Sequence, residues 1–424
     1  MQPAAPRILD SPASWRVLAG AGTVFVFSVP ALFGSTFGLF MVPLEQGLGW
    51  SRADIAFSLT LTTAIAWLSV LFGGWLADHA RLRPLLFIGV VLGAANLAAF
   101  ALMTQLWHFY VLVVALAFTS LGASPLILSK LVQGWFDKRL GSALGILFSC
   151  ASVGAVLHPL VISGAMARAG WRPAFLVMGA MALVGGVLAV VLAVREQPGD
   201  REGARRAMPK PGAAVEKVPM VAFLGDRIWW KLAAWNLLFG FGGGAIAIHF
   251  AALLHDRGVG TVEIGFAVSL VGVSHFVGNL LAGWLVDRMP PQRMAWLLMT
   301  LPLIATLLML AGGPAAVLFV AAAVLGLATG SDGCLSAFLA RYYFSSRVYG
   351  QATGTQMVAT AAGSGLAPWL SGLMRDRTGD YQLSLACAAT AFALAVLAGW
   401  LLPKRGHAAP AAIEAETPPA PVHA

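Results

Sequence analysis

The sequence predicts an all-α membrane protein with twelve transmembrane helices in two pseudo-symmetric six-helix bundles. Three observations carry this reading. First, 59% of the 424 residues are hydrophobic and only 11% are charged. Average soluble proteins run near ~25% charged, so the core here is a membrane bundle rather than one soluble core. Second, uncharged runs of spanning length recur along almost the whole chain, each able to cross ~30 Å of hydrocarbon. Third, separate features repeat at a single offset. Asp78 and Asp287, each following Gly-Trp-Leu-x, lie 209 residues apart. The pairs Gly145/Gly354, Gly154/Gly363, Pro159/Pro368 and Asp54/Glu263 share that offset. A repeat of this length means two copies of a six-helix unit.

In chain order the spans cover residues 17–40, 53–76, 84–104, 107–134, 141–166, 173–194, 229–254, 262–286, 293–311, 314–340, 349–374 and 382–402. The first apolar run is too long for a signal-peptide core and is followed by further spans, so it reads as retained. Residues 1–194 form the first bundle. Residues 195–228, rich in Arg, Lys, Glu, Pro and Gly, form a solvated cytoplasmic linker. Residues 229–402 form the second bundle. Residues 403–424, rich in Ala and Pro, read as a disordered cytoplasmic tail.

The formal net charge of +9 does not point to nucleic acid, because the basic residues sit between spans with no basic, aromatic-interleaved face. With the N-terminus on the cytoplasmic side, twenty Lys and Arg fall on that side and six on the other, namely Arg52, Arg168, Arg172, Arg257, Arg375 and Arg377. The positive-inside rule therefore places both termini in the cytoplasm. Cys150, Cys334 and Cys387 lie inside apolar runs, which implies neither a disulfide framework nor a metal site. Nothing resembles a triad or a phosphate loop, so no enzyme, cofactor or metal is expected.

Polar groups inside spans need a reason, because lipid cannot satisfy them. Gly272, His275 and Asn279 share one face of the eighth span. An ordinary imidazole titrates near ~6.5, which suits His275 to proton handling or substrate contact. Asn279 is a neutral donor for an anion, or a cross-helix bond. Asp332, in Gly-Ser-Asp-Gly of the tenth span, is a second proton carrier, or a residue lining a cytoplasmic vestibule. Lys130 is the Lys or Arg placed deepest inside a predicted span; Lys231 and Arg293 sit among the first residues of theirs. Lys130 either snorkels to the surface near Trp135 or supplies a cation to substrate. Gln356 is the polar mid-helix residue of the eleventh span. His158, His249, Asn236 and Asn96 read as structural or lining residues. The spacings Gly141-x-x-x-Gly145 and Gly350-x-x-x-Gly354 predict close helix packing.

At this point the residues match a family. Gly73 to Arg83 (GGWLADHARLR) and Gly283 to Arg288 (GWLVDR) resemble the Gly-x-x-x-Asp-Arg loop motif of the major facilitator superfamily. The departures are His79, Arg81 and Pro290. The resemblance implies a gating latch built from Gly74, Asp78, Arg83, Gly283, Asp287 and Arg288. Gly49-Trp-Ser-Arg-Ala53, Trp135-Phe-Asp-Lys-Arg through Gly145, Gly170-Trp-Arg172 and Ala340-Arg-Tyr-Tyr-Phe344 are similar to signatures of its monocarboxylate and oxalate/formate branch. That branch commonly carries an Asp and, four residues later, a carboxylate-holding Arg on helix 8. Here those positions are His275 and Asn279. Pro30-Ala31 stands where its animal members have Pro-Lys, and helix 11 offers Gln356 rather than Lys.

The resulting expectation is a secondary transporter of a small organic anion, a carboxylate moved with protons by alternating access. Substrate contact falls to Asn279, His275, Gln356 and Lys130, and proton coupling to His275 and Asp332. The expected setting is a bacterial inner membrane, with a monomer in the lipid bilayer. The alternative is an exporter of a neutral or apolar compound, which accounts directly for the missing Arg. A transporter-like receptor that senses a ligand without moving it is a third reading.

Overall fold

The computed structural model describes residues 9–79, 81–136, 139–195, 226–286, 288–344 and 349–403. Asp287, nearly all of the predicted linker and all but the first residue of the predicted tail lie outside the described residues, as do the side chains of Gly74, Asp78 and Gly283.

The described helices fall on the predicted spans. They are α1 (Pro12–Val26), α2 (Val29–Leu48), α3 (Arg52–His79), α4 (Leu82–Ala99), α5 (Leu106–Thr119), α6 (Pro125–Gln133), α7 (Leu140–Ala169) and α8 (Trp171–Leu192). They continue with α9 (Arg227–Ala247), α10 (Phe250–Asp256), α11 (Thr261–Val286), α12 (Pro291–Ala311), α13 (Ala315–Tyr343), α14 (Tyr349–Thr378) and α15 (Gln382–Trp400). Eight of the described helical stretches are long and apolar enough to cross a membrane, and the bent α9–α10 pair makes a ninth. Of the remaining helices, α5 has only 14 residues, and α14 is rich in Gly, Ala, Thr and Ser.

Three predicted spans are broken, and local chemistry accounts for each break. The first is interrupted at Phe27–Ser28, just before Pro30 enters the first turn of α2. Proline tolerates that position because its missing N–H has no partner there. The fourth breaks at a 3₁₀ turn, Leu121–Ala123, after which the Ser124 hydroxyl caps α6 and Pro125 opens it. The seventh bends by 44° between α9 and α10, following the run Gly240-Phe-Gly-Gly-Gly244.

The repeated acids at 54 and 263 sit in the first turns of α3 and α11. Ser51 Oγ accepts from the Asp54 backbone N–H at 3.0 Å and donates to the Asp54 carboxylate at 2.8 Å. In the second copy, the Glu263 carboxylate lies against Gly260 at the start of α11. An anion in the first turn complements the positive helix end.

The chain forms two compact units. The first contains residues 1–210 together with 247–273 and 368–381; the second contains 211–246, 274–367 and 382–424. Two segments of the second sequence repeat thus cluster with the first repeat. The first unit has a core of Val17, Leu18, Phe25, Leu86, Ile127, Leu128, Val132 and Leu147. Aromatic rings extend it: Phe40 stacks on Phe175 at 4.0 Å, and Phe175 on Phe100 at 5.1 Å. On α8, Leu176, Leu183, Val184 and Leu188 stay exposed, a face that suits lipid.

Small residues bring helices together. In the first unit, a Cβ on Gly272 would come within 2.8 Å of the Ala155 backbone on α7, and Gly265 meets Ser163. Ser269 Oγ donates to the Val156 carbonyl at 2.8 Å. In the second unit, Gly240, Gly244 and Gly363 pack α9 against α14, and Gly278 and Gly330 pack α11 against α13. Without a hydrophobic drive between helices in lipid, such close approach is a main source of association. The glycines picked out by spacing behave differently, because Gly145 and Gly354 face open space. We expect Gly330→Val to drive α11 from α13, since its Cβ lands on the His275 carbonyl. Overpacking of this kind costs about 1–3 kcal/mol, read as a lowered melting temperature, whereas Gly145→Ala should leave melting unchanged or raise it slightly.

Candidate functional site

The sequence-predicted residues fall in both units. In the second unit, His275 is half-buried on α11, with Nδ1 3.4 Å from Thr329 Oγ1 on α13. Gly330 makes that pairing possible, since any side chain there would strike the His275 backbone. Asn279, one turn along, is exposed. Asp332 is half-buried on the same α13 that carries Thr329. Lys130 belongs to the first unit, half-buried on α6.

Gln356 is the best-defined of these residues. It is 3% exposed, and its Oε1 accepts from Asn236 Nδ2 on α9 at 3.0 Å. Asn236 Nδ2 also donates to the Leu232 carbonyl at 2.9 Å, and Asn236 Oδ1 accepts from Thr360 Oγ1 at 3.1 Å. These bonds set both amides, because a flip of either would bring donor to donor or acceptor to acceptor. Gln356 Nε2 is then a buried donor with no acceptor among the described residues. A buried unpaired donor is costly to leave unmet, and it is the feature a carboxylate or carbonyl oxygen would satisfy.

Of the predicted latch, Arg83 Nη2 donates to the Val191 carbonyl at 3.2 Å. Arg288 donates to the Trp284 carbonyl at 3.0 Å and lies 4.3 Å over its ring.

The strongest polar constellation is one that sequence reasoning treated as loop charge. At the far end of the first span, Arg52 opens α3 and is 1% exposed. Its Nη1 and Nη2 bind both oxygens of Asp256 at 2.7 Å, and its Nε donates to Glu45 at 2.8 Å. Arg375 donates to the second Glu45 oxygen at 2.9 Å. Asp376 accepts the Ala53 backbone N–H at 2.9 Å, capping α3. All of these residues belong to the first unit. The guanidinium stays charged when buried, and its planar fork suits two-point carboxylate binding.

A directional relay extends from it. Arg52 Nη1 donates to the Tyr381 hydroxyl at 3.0 Å, and that hydroxyl lies 2.9 Å from His249 Nδ1. His249 Nε2 lies 2.8 Å from the Pro368 carbonyl. A carbonyl only accepts, so Nε2 carries the hydrogen, and in the neutral ring Nδ1 accepts from Tyr381. Burial pushes the Tyr381 phenol up and Arg52 draws it partly back, leaving it protonated. His249 sits at the α9–α10 bend, so the relay ties that bend to α14 and to Arg52. The sequence signal was present: Arg52 lies in Gly-Trp-Ser-Arg, and three loops of one side carry charges of both signs.

A model of the Major Facilitator Superfamily matches residues 23–310 and 236–424. The chain belongs to the major facilitator superfamily. It is 26% identical to human monocarboxylate transporter 11 over 90% of this chain and 81% of that protein. It is 25% identical to the membrane sensor protein UhpC of Escherichia coli (strain K12), over 56% of this chain and 57% of that one. The structure of nucleoside transporter NupG superposes with a TM-score of 0.75 at 13% identity, covering 92% of this chain and 99% of that one. At that identity the likeness shows the fold alone. The chain is thus a multi-pass membrane protein of the major facilitator transporter type, not an enzyme.

For this superfamily member we expect Arg52→Ala to lower the melting temperature markedly, because Glu45 and Asp256 lose their shared cation. Breaking one side of a buried pair costs up to ~3–5 kcal/mol, and the partial exposure of these carboxylates, near 25%, places this case at the lower end. Arg52→Lys should recover only part of that loss, since a lysine cannot bind both oxygens and Tyr381 together.

Proposed function

We propose that the chain carries a small carboxylate across the membrane together with protons. The observation that carries the reading is its similarity to monocarboxylate transporter 11 over 90% of the chain. The Gln356 geometry supports it. In place of a helix-8 Arg, a neutral amide donor held by Asn236 meets the substrate oxygen, with Asn279 as a further contact. His275 and Asp332 handle the proton. The bundles 1–194 and 229–402 are the moving bodies, with both termini in the cytoplasm of a bacterial inner membrane and the monomer as working unit. In the alternating-access cycle the Arg52 cluster closes the outer end, and it must break for that end to open.

Uptake into proteoliposomes tests this, with radiolabelled mono- and dicarboxylates under an imposed pH gradient. Acid outside should raise uptake. Gln356→Leu should reduce it about tenfold or more, the scale of one hydrogen bond to a charged group. Asn236→Leu should reduce it in parallel. Thermal stability at about pH 5.5 and about pH 7.5, which bracket the ordinary imidazole range, gives a second measure. A carboxylate should stabilise the wild type more at the lower pH, and His275→Ala should abolish the difference. Stabilisation by neutral compounds alone would sink the carboxylate reading in favour of export.

A second reading is a sensor that binds a ligand without moving it, favoured by the similarity to UhpC. Ligand-dependent stabilisation with no uptake under any gradient would select it.

A further inference from the structure

Next to the Arg52 cluster lies a cavity of about 380 Å³. Its walls come from four places in the first unit. Gly38, Leu39, Val42, Pro43, Gln46 and Gly47 belong to α2. Met166, Gly170 and Trp171 sit at the α7–α8 junction, Ala251 and His255 on α10, and Thr261 and Ile264 on α11. Two of its glycines are required by close approach. A Cβ on Gly38 would fall 2.7 Å from the Ile248 carbonyl, and one on Gly47 would fall 2.9 Å from Trp171 Nε1. The volume lies at the small end of the range for ligand pockets.

The polar groups of the cavity define what would bind. Trp171 Nε1 is a donor only, and it has no acceptor among the described residues. The Gln46 side chain is exposed at the cavity. His255 turns Nδ1 toward Asp256, 3.8 Å away. None of the lining residues is Lys or Arg, and the nearby guanidiniums of Arg52 and Arg375 are already engaged by Glu45 and Asp256. The Arg172 guanidinium, stacked 4.4 Å over the Trp171 ring, donates to the Ala101 carbonyl at 2.7 Å; the lining itself thus offers an anion no Lys or Arg, and a cation would meet the Trp171 donor. Apart from Thr261, the remaining lining, with Leu39, Val42, Pro43, Met166 and Ile264, is apolar.

We propose that this cavity binds a small neutral amphiphile, an aromatic or short acyl body with one hydrogen-bond-accepting oxygen that meets Trp171 Nε1, and that binding holds the Arg52 cluster closed. The second clause rests on the alternating-access reading; the first does not. Gln46 adjoins Glu45 and His255 adjoins Asp256, so the cavity walls and the ion pairs are carried by the same short segments. A ligand touching α2 and α10 together binds only when the cluster has brought them together. Differential affinity of that kind shifts the equilibrium toward the closed form and brakes the cycle.

Ethyl 4-fluorobenzoate is a suitable probe: an aromatic body, one ester carbonyl and a fluorine signal. The full-length protein in detergent would be titrated by fluorine NMR and by thermal melting. Saturable, protein-dependent broadening is expected, with a melting rise of about 2–3 °C. Trp171→Phe keeps the ring and removes the donor, so binding should weaken about fivefold or more with little change in melting without probe. Val42→Trp fills the cavity and should abolish saturable binding. By reciprocity, Arg52→Lys should weaken the probe as well. Equal broadening in wild type, Trp171→Phe and Val42→Trp, which is partition into detergent, or no saturable binding at all, would overturn the site. Full-strength binding to Arg52→Lys would overturn its link to the ion-pair cluster.

Discussion

A guanidinium buried to 1% exposure must have its charge met, and in this protein the groups that meet it come from across the sequence. Arg52 takes Glu45 from the end of α2, Asp256 from the end of α10 and Tyr381 from the loop before α15. Arg375 and Asp376 complete the set from α14. No lipid or apolar side chain can stand in for these contacts. The requirement helps to hold segments 247–273 and 368–381 in one compact unit with the first repeat. Together with the α7–α11 contacts at Gly265, Ser269 and Gly272, this arginine supports a division of the chain that does not follow the sequence repeat.

The same economy governs the apolar region. Lipid gives helices no hydrophobic reason to associate, so contact rests on small residues and a few polar bonds. Gly240, Gly244 and Gly363 let α9 and α14 touch, and the Asn236–Gln356–Thr360 bonds sit at that contact. Gly278 and Gly330 do the same for α11 and α13, beside the His275–Thr329 pair. Close packing and polar chemistry thus coincide, because only where backbones approach can short side chains such as Thr and Asn reach across.

Much of the fold was legible beforehand. Twelve apolar runs, the 209-residue repeat and the paired Gly-Trp-Leu-x-Asp endings point to duplicated helices of the transporter type, and the family comparison agrees. The candidate site was legible in part. Gln356 stood out as a polar residue in a span, but its orphan Nε2 follows only from the bonds of Asn236. Of the Gly-x-x-x-Gly spacings, Gly145 and Gly354 meet nothing within contact distance, the surroundings of Gly141 and Gly350 lie outside the described residues, and glycines outside that pattern carry the described contacts. Spacing reports which residues share a face and not which face finds a neighbour.

What the sequence by itself determined is whatever the bilayer demands of each segment alone. Each span must satisfy its own backbone, so length, apolarity and caps such as Ser51–Asp54 are written locally. Tertiary structure alone decided which charges are buried and with whom. Arg52 and Asp256 lie 204 positions apart, Arg52 and Tyr381 329 apart, and their loops read as ordinary solvated charge until the helices bring them within 3 Å. The physical reason is one of range. Hydrophobic periodicity acts within a segment, whereas the worth of a charge depends on every group that excludes water from it, and those groups come from the whole chain.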